Sequence, residues 1–239
     1  MTPIDPEALL GDLVSARPVL APVLDDLGLD YCCGGQRSLG SACRLAGLDA
    51  NEVVARLRDA SHAADAAPPE WAGLGPAELV DHLEAVHHRY LDDELSGLAE
   101  LADKVATVHG ARHPELAEVV ATYGELRADL EPHLRKEELV LFPMIRRLDA
   151  AGGESLDPPL PMALAAPVSV MLAEHEQAGE LLARLRELTG GYAPPDDACA
   201  SYRSLYERLA ALEADTHLHV HKESNVLFPM VLELEAAGS

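Results

Sequence analysis

Two stretches of this sequence repeat each other, and the repeat constrains the fold more than any other feature. Residues 133–144 and residues 219–230 both begin with His-x3-Glu and both end in Val-Leu-Phe-Pro-Met. On an α-helix, residues four apart lie one turn apart on the same face, so each copy directs an imidazole and a carboxylate to the same place. Such a pair can bind a metal ion, and two pairs that face each other across a helical bundle can bind two.

The repeat extends upstream to a single histidine in each half. The two His-x3-Glu motifs are offset by 86 residues, and His88 and His175 are offset by 87. Aligning these histidines also superposes the leucine stripes that follow them, with Leu95 on Leu182. The repeated unit is therefore a helical hairpin, and two hairpins predict an all-α, four-helix up-down bundle. The predicted metal ligands are His88, His133, Glu137, His175, His219 and Glu223.

Simpler interpretations of these residues also exist. A single buried histidine is usually a hydrogen-bonded core residue, and His-x3-Glu on one helix is a common surface ion pair. The apolar run after each motif instead places these turns toward the core, where a charged carboxylate is costly without a cation. His87 competes with His88, and only the repeat alignment rejects it. No metal-binding role is expected for His62, His82, His109, His113, His217 or His221, and the last two lie on the face opposite to His219 and Glu223.

The ligand set favours two non-haem iron ions (Fe2+/Fe3+). Four imidazoles, two bridging carboxylates and one bridging oxo or hydroxo group leave an open coordination position on each ion. Nitrogen and oxygen ligands with open positions suit iron, with manganese or zinc as alternatives. A ferritin-type centre needs Glu-x-x-His pairs on two helices, and only Glu84 and His87 fit that pattern. The open positions would accept a small diatomic ligand such as dioxygen or nitric oxide.

The composition excludes several classes of partner. The formal net charge is −23 and the sequence pI is about 4.7, so nucleic acids and anionic membranes would be repelled. Aromatic residues make up only 4%, and no run of alternating β-branched residues indicates strands. The N-terminus lacks the features of an export signal, and no later stretch is apolar enough to span a bilayer. A cytoplasmic location is therefore expected.

Proline and glycine divide the chain into regions. Residues 1–60 predict a small helical N-terminal domain, residues 61–74 a linker, and residues 75–239 the bundle. Short helices are expected at about 6–14, 18–27, 39–46 and 50–60, and bundle helices at about 76–108, 114–149, 167–188 and 195–235. Pro143 and Pro229 fall inside two of these helices, so each helix is expected to kink or stop there.

Three motifs give the chain a resemblance to a known family. Residues 30–35 read Asp-Tyr-Cys-Cys-Gly-Gly, Val-Leu-Phe-Pro follows both predicted glutamate ligands, and residues 169–180 read Ser-Val-Met-x-x-Glu-His-x-x-Ala-Gly-Glu. Through these motifs the chain resembles the RIC (Repair of Iron Centers) family, and the resemblance covers nearly the whole chain. Members of the family are di-iron proteins with a short N-terminal domain ahead of a hemerythrin-like bundle. The family's ligands carry over onto the same six residues. The chain departs from the family at His87, where a tyrosine is expected beside the first-helix ligand.

The resemblance implies a cytosolic stress protein that helps to restore iron-sulfur clusters damaged by nitric oxide or peroxide, by donating iron to the damaged proteins. It also implies a second activity, the reduction of nitric oxide at the di-iron centre. A sensor that only binds oxygen or nitric oxide is the third hypothesis. The Cys-Cys domain favours repair, because a gas carrier has no use for it. Whether the chain forms a homodimer stays open.

Cys32 and Cys33 have two interpretations. In one, they belong to a turn of small residues in which one thiol is buried. In the other, they form an exposed pair beside the bundle, where a thiolate holds iron, engages a damaged cluster or exchanges with a partner thiol. A disulfide between adjacent cysteines is disfavoured because it strains the backbone. Cys43 and Cys199 are expected to be structural.

Overall fold

The computed structural model describes residues 3–63, 69–152 and 160–237, and within these ranges the regular elements are helical. The α-helices are α1 (Leu10–Ala16), α2 (Ala21–Asp26), α3 (Leu39–Ala46), α4 (Ala50–Ala63), α5 (Pro76–Leu83), α6 (Arg89–His109), α7 (Leu116–Lys136), α8 (Phe142–Ala151), α9 (Ala165–Leu188), α10 (Ala200–Lys222) and α11 (Phe228–Ala237). A 3₁₀ turn covers Pro18–Leu20, and π-helical turns cover Glu84–His88, Glu137–Leu141 and Glu223–Leu227. Parts of the predicted linker and of the chain between the second and third predicted bundle helices lie outside the described residues.

Two helices begin later than the sequence predicts, and in both cases a local turn explains the difference. The Oδ1 atom of Asp5 accepts the backbone N–H groups of Glu7 and Ala8, so the chain turns there and α1 starts only at Leu10. Before α10, the N–H of Ala198 donates to the carbonyl of Pro195 at 3.0 Å, which delays the helix until Ala200.

The interruptions expected at Pro143 and Pro229 take the form of π-helical turns. Neither proline ends its helix, because each is the second residue of a helix, α8 or α11, that resumes directly after a π-helical turn. A proline lacks the N–H that an α-helix interior requires, and the first turn of a resumed helix tolerates this loss. The same type of turn also occurs at Glu84–His88, where no proline predicts it.

Helix ends follow the capping rules. Asp49 precedes α4, and its Oδ1 accepts the N–H groups of Asn51 and Glu52. Ser38 caps the start of α3, which ends at Gly47 with a positive φ of 71°. These short N-terminal helices are therefore defined locally and stabilised by packing.

Contacts within the chain divide it into two compact units. Unit 1 comprises residues 1–80, 145–165 and 217–239, and unit 2 comprises residues 81–144 and 166–216. The core of unit 1 contains Leu10, Leu13, Leu24 and Leu57 from the N-terminal helices, and Val220 from α10 joins it. Unit 1 therefore combines the N-terminal region with the end of the chain. The linear division at residues 61–74 remains a prediction.

Unit 2 contains the packed centre of a four-helix bundle. Its core is built from apolar residues of α6, α7, α9 and α10, including Leu91, Leu95, Leu98, Leu116, Leu126, Leu182, Leu185, Leu205 and Leu209. The hydroxyl of the buried Tyr123 donates to the carbonyl of Leu95 at 2.7 Å and satisfies its polar atom within this core. None of the described helices combines the length and apolar character that a bilayer crossing needs.

Two glycines of unit 2 allow a matched stability test. A Cβ at Gly124, inside α7, or at Gly190, after α9, would meet nothing within 4 Å, but Gly190 has a φ of +59°. We expect Gly124→Ala to raise the free energy of unfolding by about 0.5–1 kcal/mol, because alanine favours the helix. We expect Gly190→Ala to lower it by about 1 kcal/mol, because its backbone is left-handed. Urea denaturation followed by circular dichroism measures both, and equal effects would contradict the assigned backbone conformations.

Candidate metal centre

Unit 2 places two of the predicted histidine ligands beside one predicted carboxylate ligand. Glu137 is fully buried; its Oε1 lies 3.3 Å from Nε2 of His133, and its Oε2 lies 3.4 Å from Nε2 of His88. His133 and Glu137 are one turn apart at the junction of α7 and its π-helical turn, as the His-x3-Glu spacing predicts. The carboxylate therefore faces an imidazole from its own helix and one from the first helix.

The fourth ligand of unit 2 comes from α9. His175 is buried, and its ring centroid lies 4.9 Å from that of His133. The ring of Phe142 lies 5.3 Å from the ring of His88 and forms an apolar wall on that side. The histidines are therefore held among buried rings, away from bulk water.

Two further carboxylates hold the outer edges of the imidazoles. Nδ1 of His88 lies 2.9 Å from Oε1 of Glu138, and Nδ1 of His133 lies 2.9 Å from Oε2 of Glu174. Lys136 also bonds Glu174. Although partial burial opposes its ionisation, the hydrogen bonds from Lys136 and His133 keep the pKa of Glu174 below its ordinary value. The carboxylate oxygens at these positions orient the two rings.

These outer contacts determine which nitrogen of each ring faces Glu137. A carboxylate only accepts hydrogen bonds, so Nδ1 of His88 and of His133 carries the donated proton. In a neutral ring, Nε2 then directs its lone pair at Glu137. A lone pair and a carboxylate oxygen repel each other at 3.3–3.4 Å unless a cation lies between them. The donor set of imidazole nitrogens and carboxylate oxygens therefore fits a divalent metal ion.

Unit 1 contains the second His-x3-Glu pair in the same local conformation. His219 lies near the end of α10, and Glu223 begins the π-helical turn that follows. Both side chains are buried, and Nε2 of His219 lies 3.2 Å from Oε1 of Glu223. Because π-helical turns inside helices occur often at functional sites, their presence at both motifs supports a shared function for the repeat.

The six predicted residues are buried in both units. In unit 2, His133, Glu137 and His175 offer ligand atoms within 4.8 Å of one another, and His88 lies beside Glu137. In unit 1, His219 lies beside Glu223. Among the described residues, these side chains are therefore candidates for holding a metal ion.

His87, the alternative to His88, has a different partner. Its Nδ1 lies 2.9 Å from Oδ1 of Asp215, and its side chain is buried. The two neighbouring histidines therefore point to different acids, and the one adjacent to Glu137 is His88.

The sequence analysis gave no role to Glu138 and Glu174. A usable signal existed, because each of them is the chain neighbour of a predicted ligand and each reaches a histidine on another helix. Carboxylates that hold the second nitrogen of a metal-binding histidine are a common requirement of such sites. They could have been sought for that reason.

The Cys-Cys turn lies in unit 1 and is only partly exposed. Cys32 is buried and Cys33 is half-buried, so an exposed pair, one of the two expectations, is wrong for Cys32. Their Sγ atoms are 3.8 Å apart, and Oδ1 of Asp30 accepts the N–H groups of both residues. The adjacent Cys33 thiol, burial and the Asp30 carboxylate raise the pKa of Cys32 well above its ordinary value. These three residues form a further group that could hold a cation.

The two remaining cysteines differ from each other. Cys43 is fully buried in the core of unit 1, in line with a structural role. Cys199 is an exposed residue, and its Sγ lies 3.2 Å from Nε2 of the buried His109. The structural role expected for Cys199 remains a prediction.

The face of α10 opposite to His219 bonds the N-terminal helices, a contact that the sequence did not predict. Nδ1 of His217 lies 2.8 Å from Oδ1 of Asp25, and Nε2 of His221 lies 3.1 Å from Oγ of Ser15. Burial lowers the pKa of His221 to about 4, so its ring is neutral near pH 7. Asn225 continues this stripe at the i, i+4, i+8 spacing of one helix face, which is the signal that could have predicted a docked surface.

Buried histidines and glutamates on the inner faces of a helical bundle define a cation-binding helical protein. Residues 79–231 match the family model of the hemerythrin HHE cation binding domain, and residues 6–61 match a second, N-terminal domain described as a domain of unknown function.

Relatives of similar length share both regions. The chain is 34% identical over 224 residues to a probable iron-sulfur cluster repair protein of Haemophilus influenzae, covering 93% of this chain and 96% of the relative. It is 31% identical to the iron-sulfur cluster repair protein ScdA of Staphylococcus haemolyticus, covering 93% of this chain and 96% of the relative. It is 33% identical to the repair protein YtfE of Escherichia coli, with the same coverage of both chains. The chain belongs to this family of two-domain iron-sulfur cluster repair proteins.

The two adjacent histidines provide a matched pair of variants. We expect His88→Ala to weaken metal binding at least about tenfold, because the variant removes a nitrogen directed at Glu137. His87→Ala removes an equally buried ring that bonds Asp215, so it should retain the metal affinity of the parent. Equilibrium dialysis with Co2+, which many histidine sites accept in place of iron, measures both. Stronger loss in His87→Ala would contradict the assignment.

Proposed function

We propose that this chain is a cytoplasmic di-iron protein that helps to repair iron-sulfur clusters damaged by oxidative or nitrosative stress, and that it does so by donating iron. The main supporting observation is that each copy of the repeat buries a glutamate beside a histidine of its own helix, Glu137 beside His133 and Glu223 beside His219. Two such buried pairs of imidazole and carboxylate ligands are what a centre of two ions would use. The repair proteins to which the chain is similar support the biological role.

In this proposal, the imidazoles of His88, His133, His175 and His219 and the carboxylates of Glu137 and Glu223 would hold two irons, together with an oxo or hydroxo group. When bound, such a centre supplies two electrons at adjacent sites and an open position on each ion for nitric oxide or dioxygen.

The chain's own residues determine how firmly the iron is held. Glu138 and Glu174 orient His88 and His133 from outside, and both carboxylates are partly exposed, with 38% and 29% of their side chains accessible. Loss of either hydrogen bond frees a ring to turn away from Glu137. Iron donation needs ligands that can be released, and partly exposed outer carboxylates make release easier than a fully enclosed set of ligands would.

The two thiols of the Cys-Cys turn have different roles in this proposal. Cys32 remains protonated near neutral pH because its pKa is raised, whereas Cys33 is half-buried and reaches the surface. We assign contact with iron in transit, or with a damaged cluster, to Cys33 first and to Cys32 second. Asp30, which caps both backbone N–H groups, keeps the two thiols on one turn.

Metal content tests the six-ligand proposal directly. We expect about two irons per chain after anaerobic loading with ferrous iron, and a marked loss in His133→Ala and in Glu223→Ala, because each variant removes a ligand. Glu125→Ala is the control, since Glu125 is an exposed glutamate of α7. Elemental analysis after gel filtration gives the iron content. Full iron occupancy in both ligand variants would reject the centre.

A second experiment distinguishes iron donation from the other functions. The reduced, iron-loaded protein is mixed with a cluster protein damaged by nitric oxide, and both iron transfer and N2O are followed. Donation predicts transfer of iron with recovery of the cluster, and slower recovery for Cys32→Ser combined with Cys33→Ser. Turnover to N2O without iron transfer would favour a nitric oxide reductase. Reversible gas binding with neither signal would favour a sensor.

A further inference from the structure

The turn that carries Glu223 also holds the Cys-Cys turn, and a single side chain makes the connection. Asn225 lies two residues after Glu223 in the same π-helical turn. Its Nδ2 donates to the carbonyl of Cys32 at 2.7 Å and to that of Tyr31 at 3.3 Å. One side-chain amide therefore bonds two successive backbone carbonyls of the Cys-Cys turn.

Two glycines make room for this amide. A Cβ added at Gly35 would lie 2.1 Å from Oδ1 of Asn225, and one added at Gly11, in α1, would lie 2.8 Å from the same atom. The N–H of Gly11 donates to the carbonyl of Gly35 at 2.8 Å, so the two glycines are bonded to each other around the amide. Any other residue at 35 would collide with Asn225. The small residues of the turn are thus explained by contact with this side chain.

The other copy of the repeat lacks this arrangement. The position equivalent to Asn225 is Leu139, which follows Glu137 by two residues and is 75% exposed. A ligand-bearing turn therefore needs no asparagine to form. Asn225 is specific to the copy that contacts the N-terminal region, and its contacts serve the Cys-Cys turn.

We propose that Asn225 is a positioning residue that fastens the turn of residues 30–35 to the helical turn of Glu223, so that the exposure of the Cys33 thiol and metal binding at Glu223 depend on each other. Such a dependence is reciprocal, so metal binding that lowers the exposure of Cys33 by a given free energy is itself weakened by the same free energy when Cys33 is exposed. The metal-dependent part rests on the proposed function, whereas the positioning part does not.

Site-resolved alkylation of the metal-free protein tests the positioning role. Iodoacetamide labelling of the full chain, followed by peptide mass spectrometry, gives a separate rate for each cysteine. We expect Asn225→Ala to raise the rate at Cys33 about tenfold, because the variant removes two hydrogen bonds that hold the turn. The rate at Cys43 should stay low and reports that unit 1 is still folded. Leu139→Ala, at the equivalent position, should change neither rate. An unchanged Cys33 rate in Asn225→Ala, or an equal rise at Cys43, would overturn the proposal.

A double-mutant cycle gives a second test that does not depend on the size of one effect. Gly35→Ala alone should expose Cys33 because its Cβ expels the amide of Asn225. In the Asn225→Ala background the same change should have little effect, since the space is then vacant. Independent, additive effects of the two substitutions would show that Gly35 and Asn225 do not act through their contact.

Ferrous iron as the probe tests the dependence on metal. In the parent protein, anaerobic loading should slow alkylation of Cys33 about fivefold or more. This protection should disappear in Asn225→Ala and in Glu223→Ala. Protection that persists in either variant would mean that iron binds the thiol directly, and would overturn the link. A parent that binds no iron would reject the proposed function and the link together, while the metal-free experiments would still decide the positioning role.

Discussion

The structure depends on the burial of two glutamates that cannot be left as isolated charges. Glu137 and Glu223 have no exposed surface, and each lies one helical turn after a buried histidine. A bare carboxylate in such a place costs several kcal/mol, so the surrounding groups must compensate for it. Where the imidazoles are neutral and an outer carboxylate holds their Nδ1 protons, as at His88 and His133, this compensation requires a cation between Nε2 and the buried carboxylate. The helices, the π-helical turns and the outer acids all serve that arrangement.

The two copies of the repeat share the inward-facing residues of the π-helical turn and differ in the outward-facing ones. Both copies place a glutamate at the first residue of a π-helical turn, and both resume an α-helix at Phe-Pro. The inward face of the turn is therefore the same in both. The outward face differs, because one copy presents the exposed Leu139 and the other presents Asn225 bonded to the backbone of the Cys-Cys turn. Inward residues serve the buried acids, and outward residues are free to take on a separate task.

The sequence predicted the helical fold and singled out the candidate ligands because both leave periodic signals. Apolar residues at helical spacing define the bundle helices, and His-x3-Glu survives in both halves, so the bundle could be derived without coordinates. Three features left no such signal. The π-helical turn at Glu84–His88 contains no proline, so nothing marked it. The outer acids Glu138 and Glu174 left only an indirect signal, their position next to a predicted ligand, because their hydrogen bonds depend on the neighbouring helix. The sequence did not tell which thiol of the Cys-Cys turn is buried, because the burial of a thiol in a glycine-rich turn is decided by what packs on that turn.

The histidines outside the centre show why side-chain counting alone cannot assign function. His217 and His221 lie on α10 within six residues of Glu223, yet they bond Asp25 and Ser15 of the N-terminal helices. Helical geometry predicts that they are not metal ligands. Buried polar groups must be bonded, so a polar stripe on a largely buried helix needs another partner. The face of α10 opposite to the candidate ligands is therefore informative in its own right, because it shows where the N-terminal helices attach to this helix.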